Sequence, residues 1–201
     1  MAIILLSDVI GHQLINTQLL ADQFAANGYL TVVPDLFFGN PVPLNPPAGF
    51  DIFQWLRDFP PERVDTVVQS TIEYLKRSEG ITTIAAAGYC FGGKYVVRFL
   101  GKGVSVGYVA HPSMVDEAEF AGIKGPLSIS AAETDAIWPS DQRHKSENIL
   151  ATTGQPWQIN LFSGVEHGFA VRGDLSNKQI KFGKEQAFFQ AVAWFNEHAP
   201  K

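Results

Sequence analysis

The chain contains a single cysteine, Cys90, in a setting that would make it a nucleophile. It lies in the segment Gly-Tyr-Cys-Phe-Gly-Gly (88–93), between a predicted strand and a helical pattern that begins at Phe91. This segment matches the nucleophile motif Gly-x-Ser-x-Gly with Cys in place of Ser. A sharp strand-to-helix turn strains the middle residue, so its neighbours two positions away must lack a Cβ, and the helix N-terminus favours a thiolate. The alternative is a small buried cysteine beside glycines that end a strand, and the strand–turn–helix context disfavours it.

A cysteine nucleophile of this kind needs an acid and then a histidine, each placed after a later strand. Asp135 follows the fifth predicted strand and His167 follows the sixth. His167 would take the thiol proton and later protonate the leaving group, while Asp135 would fix its tautomer. Glu133 is the competing acid. It lies nearer the strand end, whereas Asp135 is further into the loop and can reach a histidine, so we favour Asp135.

Residues that follow two other predicted strands are expected at the same edge of the sheet, where the carboxyl ends of the strands meet. The backbone N–H groups of Val9 and Phe91 are the predicted oxyanion-hole donors. Asp8 is an acid at the rim beside the nucleophile strand, or only a turn aspartate. His111 would line the substrate pocket, although a structural role in its loop is an equal alternative.

Metal and cofactor chemistry find no support in the sequence. The remaining histidines, His12, His144 and His198, lie in loop or helical patterns and are interpreted as surface residues. No pair of histidines or carboxylates has the usual ligand spacing on one element. We therefore predict neither a metal site nor a cofactor.

Short apolar runs bounded by turn residues predict the strands that position these groups. The predicted strands are Ala2–Ser7, Leu30–Val33, Thr83–Gly88, Val104–Ala110, Leu127–Ser130 and Gln158–Phe162. The helical patterns are Leu14–Asn27, Phe50–Phe59, Glu62–Ser78, Phe91–Leu100, Ser140–Thr153 and Lys178–His198. This alternation predicts one α/β domain over residues 1–201, with helices on both faces of a mostly parallel sheet of about six strands. Ligands of such sheets bind at the carboxyl ends of the strands.

Composition excludes several classes of protein. With 46% hydrophobic residues the chain can build a core, which a disordered chain cannot. A net charge of −5 with scattered Lys and Arg disfavours nucleic acid and acidic membrane surfaces as partners. The apolar runs are too short for a membrane helix. One cysteine allows no intramolecular disulfide, and a reducing cytoplasm is the expected location.

Several segments together resemble the dienelactone hydrolase family, especially its eukaryotic and fungal form. They are Ser-Asp-Val-Ile-Gly (7–11), Ala-Asp-Gln (21–23) with Gly-Tyr (28–29), Val-Pro-Asp-Leu (33–36), the segment 88–93, His-Pro-Ser (111–113), Glu-x-Asp (133–135) and Glu-His-Gly-Phe (166–169). The resemblance implies an α/β-hydrolase fold and a Cys90–His167–Asp135 triad that cleaves an ester or lactone through a thioester. It also implies that Asp8 contacts the resting nucleophile and helps to ionise it.

The sequence departs from the family in three places. Bacterial members have Glu where Asp8 stands, and the arginine expected four residues after the histidine is replaced by Val171, beside Arg172. We therefore do not carry over dienelactone as the substrate. The candidate pocket residues are Phe38, His111, Trp138, Phe169 and Arg172.

Family members also have strands before the one that starts here at Ala2. With those N-terminal strands missing, Leu30–Val33 becomes an apolar sheet edge, and we expect either a homodimer through that edge or a shortened chain.

Three functions remain after these observations. The leading hypothesis is a hydrolase that acts on a small-molecule ester or lactone. One alternative is an acyltransferase or lyase that uses the same pocket on a metabolite. The other is a non-catalytic homologue that binds a ligand or senses thiol oxidation.

Overall fold

The computed structural model describes residues 1–200, which form one parallel sheet covered by helices. The strands are β1 (Ala2–Leu6), β2 (Leu30–Val32), β3 (Ile84–Tyr89), β4 (Val106–Ala110), β5 (Leu127–Thr134) and β6 (Trp157–Glu166). The helices are α1 (Ile15–Ala26), α2 (Ile52–Arg57), α3 (Pro61–Arg77), α4 (Phe91–Phe99), α5 (Glu117–Ala121), α6 (Ser140–Leu150), α7 (Phe169–Arg172) and α8 (Lys178–His198). The strand order is β2-β1-β3-β4-β5-β6, and every neighbouring pair is parallel.

The sheet is the middle of three layers. Every residue of β1, β3 and β4 is buried, as expected for strands covered on both faces. Helix α3 packs one apolar stripe, Val64, Val68, Ile72 and Leu75, into the core that it shares with α4 and α6. Helices α1, α7 and α8 pack against the opposite face. The predicted α/β-hydrolase-type architecture and the six-stranded parallel sheet are therefore confirmed.

The register of the strands brings the candidate residues to one edge of the sheet. Tyr89 is the last residue of β3 and pairs with Ala110, so Cys90 and His111 are the first residues beyond that pair. Thr134 pairs with Glu166 at the ends of β5 and β6, so Asp135 and His167 emerge side by side. A hydrogen bond of 3.2 Å from the His167 N–H to the Thr134 carbonyl holds the two strand ends together.

The structure differs from the sequence prediction in the lengths of the last two strands and in two short helices. Strand β5 continues past Ser130 to Thr134, and β6 continues past Phe162 to Glu166. Glu133 therefore lies within β5 and not in the loop after it. Helices α5 and α7 were not predicted, because five and four residues are too few to show a helical period. Within residues 1–200, no helix combines the length and the apolar character needed to cross a bilayer.

Candidate active site

Cys90 lies at a strained turn that its glycine neighbours make possible. Its backbone has φ 51° and ψ −112°, in a region that residues with a Cβ rarely occupy. A Cβ on Gly92 would lie 2.1 Å from the carbonyl oxygen of Leu6, and one on Gly88 would lie 2.6 Å from Val96. Both glycines are therefore required for the turn to pack between β1 and α4. The thiol is buried, with 5% of the residue exposed.

His167 and Asp135 form a hydrogen-bonded pair beside this turn. Nδ1 of His167 lies 2.8 Å and 3.0 Å from the two carboxylate oxygens of Asp135. An ionised carboxylate only accepts hydrogen bonds, so Nδ1 carries a proton, and in the neutral imidazole the lone pair is on Nε2. Glu133, the competing acid, is exposed and accepts a hydrogen bond of 2.7 Å from the Gly164 N–H. The structure thus places Asp135, and not Glu133, against the histidine.

The charges of this pair stabilise each other. Burial lowers the pKa of His167, but the carboxylate of Asp135 and the nearby sulfur of Cys90 overcome that effect and raise it to about 9. Burial raises the pKa of Asp135, but the hydrogen bond and charge of His167 outweigh this and leave it below its ordinary value. Nε2 of His167 is buried and has no hydrogen-bond partner within residues 1–200. Asp135 and Cys90 thus stabilise the protonated form of His167, which is the form that transfer of the thiol proton would produce.

The predicted oxyanion donors lie where β1 ends against the nucleophile turn. The Gly92 N–H donates a hydrogen bond of 3.1 Å to the Ser7 carbonyl, which holds the two segments together. In the described part of the chain, the N–H groups of Val9 and Phe91 donate to no other residue. Both donors are therefore available, and their role as an oxyanion hole stays a prediction.

Asp8 and Arg172 form an ion pair that the sequence analysis did not foresee. Oδ2 of Asp8, which is fully buried, lies 2.8 Å from Nε of Arg172, and Oδ1 accepts a hydrogen bond from the Ile10 N–H. Burial raises the pKa of Asp8, and the positive charge of Arg172 opposes that rise. Within residues 1–200 the Asp8 carboxylate makes no hydrogen bond to Cys90. A role for Asp8 in activating the thiol stays a prediction.

His111 lies against His167 as a fully buried ring. The two ring centroids are 4.9 Å apart, and Phe169 lies 5.6 Å from His111. Burial lowers the pKa of His111 well below its ordinary value, and the nearby charge of His167 adds to this effect. Its backbone has φ 38°, which departs from the extended course of β4. His111 therefore packs against His167, and it is fully buried.

The other predicted pocket residues are spread over three places. Phe169 and Arg172 line a cavity of about 440 Å³ together with His167. The backbone N–H of Trp138 donates to Asp135 at 2.9 Å, but the residue lines a separate cavity of about 210 Å³ between α5 and α6. Phe38 is half exposed and lies under the Arg63 guanidinium at 4.4 Å, in a surface groove beside α3. The structure thus groups Phe169 and Arg172 with His167, while Trp138 and Phe38 lie apart.

One contact of the nucleophile was not assigned from the sequence. Oγ of Ser113 lies 3.7 Å from Sγ of Cys90, and both atoms are buried. The sequence feature that could have identified Ser113 is the segment His-Pro-Ser (111–113), which comes directly after β4 at the same edge of the sheet.

Comparison with known proteins finds relatives that match nearly the whole chain. The sequence profile of the dienelactone hydrolase family matches residues 1–199. The hydrolase tropI of Talaromyces stipitatus is 49% identical, over 98% of this chain and 81% of its own length. The human carboxymethylenebutenolidase homolog is 32% identical, over 98% of this chain and 82% of its own length.

A solved structure shows the same fold at low sequence identity. The dienelactone hydrolase from Anabaena variabilis superposes with a TM-score of 0.70, at 9% identity, over 99% of this chain and 87% of its own. At that identity the likeness concerns the fold alone.

Proposed function

The chain belongs to the dienelactone hydrolase family, and from this we propose that it hydrolyses a carboxylic ester or lactone by way of a thioester on Cys90. The observation that carries the proposal is the pairing of His167 with Asp135 at 2.8 Å, with Nε2 left free beside the nucleophile turn. The names of the relatives support hydrolysis of esters or lactones as the reaction class.

Acylation starts with the proton of the thiol. Sγ gives its proton to Nε2 of His167, and the resulting thiolate attacks the carbonyl carbon of the ester. The carbonyl oxygen becomes an oxyanion, which would accept hydrogen bonds from the N–H groups of Val9 and Phe91, the predicted oxyanion-hole donors. When the carbon–oxygen bond breaks, His167 returns the proton to the leaving alkoxide, and the acyl group remains on Cys90.

Deacylation repeats these roles with water. Nε2 of His167 takes a proton from water, and the hydroxide attacks the thioester carbon. The carbon–sulfur bond then breaks, the carboxylic acid leaves, and the thiolate regains its proton from His167. The interactions with Asp135 and Cys90 that raise the pKa of His167 favour the imidazolium that forms when the thiol proton is transferred.

The rigid placement of these groups supports the proposal. Asp135 is held by hydrogen bonds of 2.9 Å from the N–H groups of Ile137 and Trp138. His167 is held by Asp135 through its ring and by Thr134 through its backbone. Groups held in this way lose little entropy when the substrate reacts.

The test is turnover of p-nitrophenyl acetate by the wild type, Cys90→Ala and His167→Ala. We expect hydrolysis by the wild type and background rates for both variants. Lys145→Ala, at an exposed position on α6, is the control and should keep the wild-type rate. Full activity of Cys90→Ala would refute the proposal. Transfer of the acetyl group to an added amine or alcohol in preference to water would instead favour the acyltransferase alternative.

A further inference from the structure

Ser113 is joined to the nucleophile at both its backbone and its side chain. Its N–H donates to the Cys90 carbonyl at 3.2 Å, and its Oγ lies 3.7 Å from Sγ. Only 4% of Ser113 is exposed, so water does not compete freely for its hydroxyl. Within residues 1–200 its Oγ has no hydrogen-bond partner other than this sulfur. The sulfur atom alone therefore orients the hydroxyl.

The segment that carries Ser113 is anchored to the helix that begins after Cys90. Lys94, in the second turn of α4, donates to the Met114 carbonyl at 2.6 Å. Its ammonium is buried and also pairs with Asp116 and Glu119, each at 2.9 Å. One helix thus fixes the position of the thiol and of the serine next to it.

The backbone on both sides of Ser113 is strained. His111 has φ 38° and Met114 has φ 55°, and both residues carry a Cβ. Strained backbone of this kind persists only where the surroundings enforce it, and it clusters at functional sites. On one side of Ser113, the hydrogen bond from Lys94 to the Met114 carbonyl holds the strained backbone in place.

The hydrogen bond between these two side chains depends on the charge of the sulfur. A thiol can act as a weak donor or a weak acceptor, whereas a thiolate can only accept. Hydrogen bonds to an ionised acceptor are stronger than those between neutral groups. A hydroxyl with no other partner therefore interacts more strongly with the thiolate than with the thiol.

We propose that Ser113 is a further catalytic residue, whose hydroxyl donates a hydrogen bond to the Cys90 thiolate and stabilises it. This inference rests on the proposed function, in which that thiolate is the attacking species. When the proton moves from Sγ to Nε2 of His167, the electron pair left on sulfur accepts the Ser113 hydrogen bond. The bond weakens when the carbon–sulfur bond forms, and it is restored when that bond breaks and the thiolate leaves.

The test is alkylation by iodoacetamide, in which the thiolate sulfur displaces iodide and a carbon–sulfur bond forms. The chain has one cysteine, so peptide mass spectrometry assigns the label on Cys90 and separates it from labelling of other side chains. The rate is recorded against pH for the wild type, Ser113→Ala, Ser113→Thr and Ser146→Ala. Ser146 is a matched control, because it is buried at 4% exposure but bonds to Gln142 within α6. The midpoint of each profile measures thiolate stability, and the plateau at high pH measures access of the reagent.

We expect the midpoint of Ser113→Ala to rise by about one pH unit, with about tenfold slower alkylation below the midpoint. Ser113→Thr keeps the hydroxyl and should stay near the wild type, as should Ser146→Ala. A midpoint that is unchanged in Ser113→Ala overturns the proposal. A midpoint that falls also overturns it, because the thiol would then be the donor. An equal rise in Ser113→Thr would assign the effect to packing and overturn it as well.

Alkylation separates this inference from the proposed function, because it requires no ester turnover. If Cys90→Ala kept its hydrolase activity, the proposed function would fail while the alkylation profiles still decided whether Ser113 stabilises the thiolate. If the alkylation midpoint did not rise in Ser113→Ala while Cys90→Ala lost hydrolysis, the inference about Ser113 would fail and the proposed role of Cys90 would stand.

Discussion

Replacing Asp135 with Asn changes one charge in the site and nearly nothing in its shape. Oδ1 of Asp135 accepts hydrogen bonds of 2.9 Å from the N–H groups of both Ile137 and Trp138. These two donors hold the carbonyl oxygen of an Asn in the same place, so its NH₂ group faces Nδ1 of His167. Nδ1 must then accept a hydrogen bond, and the imidazole proton moves to Nε2. A histidine in that tautomer cannot take the proton of Cys90.

The expected loss is large. When the aspartate of a Ser-His-Asp triad is replaced by Asn, kcat falls about 10⁴-fold, and we expect a fall of about 10³–10⁴-fold in kcat/KM here. Each tenfold corresponds to about 1.4 kcal/mol of transition-state stabilisation. The charge of Asp135 also contributes to raising the pKa of His167 from 6.5 to about 9 against the effect of burial. That difference corresponds to roughly 3 kcal/mol in favour of the imidazolium form, after the opposing effect of burial is included.

Two measurements test the expected effect of Asp135→Asn. Hydrolysis of p-nitrophenyl acetate gives kcat/KM, and NMR of the labelled imidazole gives the pKa of His167, which should fall toward or below 6.5 in Asp135→Asn. Glu133→Gln is the matched control, since this exposed carboxylate bonds only to the Gly164 N–H in the described structure, and its activity should stay within about twofold of the wild type. Asp135→Asn with more than a tenth of the wild-type activity, or a large loss in Glu133→Gln, would refute the reasoning.

The remaining predictions concern stability. The folded protein keeps His111 neutral while the unfolded chain binds a proton, so His111 lowers the free energy of unfolding as pH falls below 6.5. Urea unfolding of His111→Phe should therefore show a gain over the wild type that grows below that pH, and a pH-independent difference would contradict this. Arg172→Met leaves the buried Asp8 carboxylate unpaired and should cost roughly 1–3 kcal/mol at neutral pH, reduced from the value for a fully buried pair because the Arg172 side chain is 36% exposed. Lys181→Met, in an exposed pair with Glu185, should cost less than about 0.5 kcal/mol by the same measurement. Equal losses in these two variants would show that burial of Asp8 does not set the cost.

The parallel sheet could be predicted because its central strands are short, apolar and bounded by turn residues. The ends of β5 and β6 could not be located, because Ala131 and Ala132 carry no strong preference and Glu133 and Thr134 resemble a loop. With β5 predicted to end at Ser130, both acids fell in a loop, and Asp135 was favoured over Glu133 because it lay further along that loop. In the structure Asp135 is instead the first residue beyond the paired strands.

Long-range side-chain pairs were beyond the reach of sequence patterns. Asp8 and Arg172 lie 164 positions apart, at the ends of β1 and α7, and only the folded chain brings them together. The candidate triad was predictable because each member follows a strand, and the carboxyl ends of parallel strands share one edge. The places of Phe38 and Trp138 could not be predicted in this way, because an aromatic residue near that edge can line a surface groove or a second cavity instead. The homodimer through the β2 edge and the cytoplasmic location stay predictions.

The most direct test of the account is to trap the acyl group on the protein. Wild type and Cys90→Ala are mixed with p-nitrophenyl acetate, quenched in acid within the first turnovers, and measured by intact-protein and peptide mass spectrometry. The account predicts one acetyl group on Cys90 of the wild type, released by neutral hydroxylamine as a thioester is, and none in Cys90→Ala. Wild-type turnover with the acetyl group on another residue, or with an acetyl group that neutral hydroxylamine does not release, would contradict it.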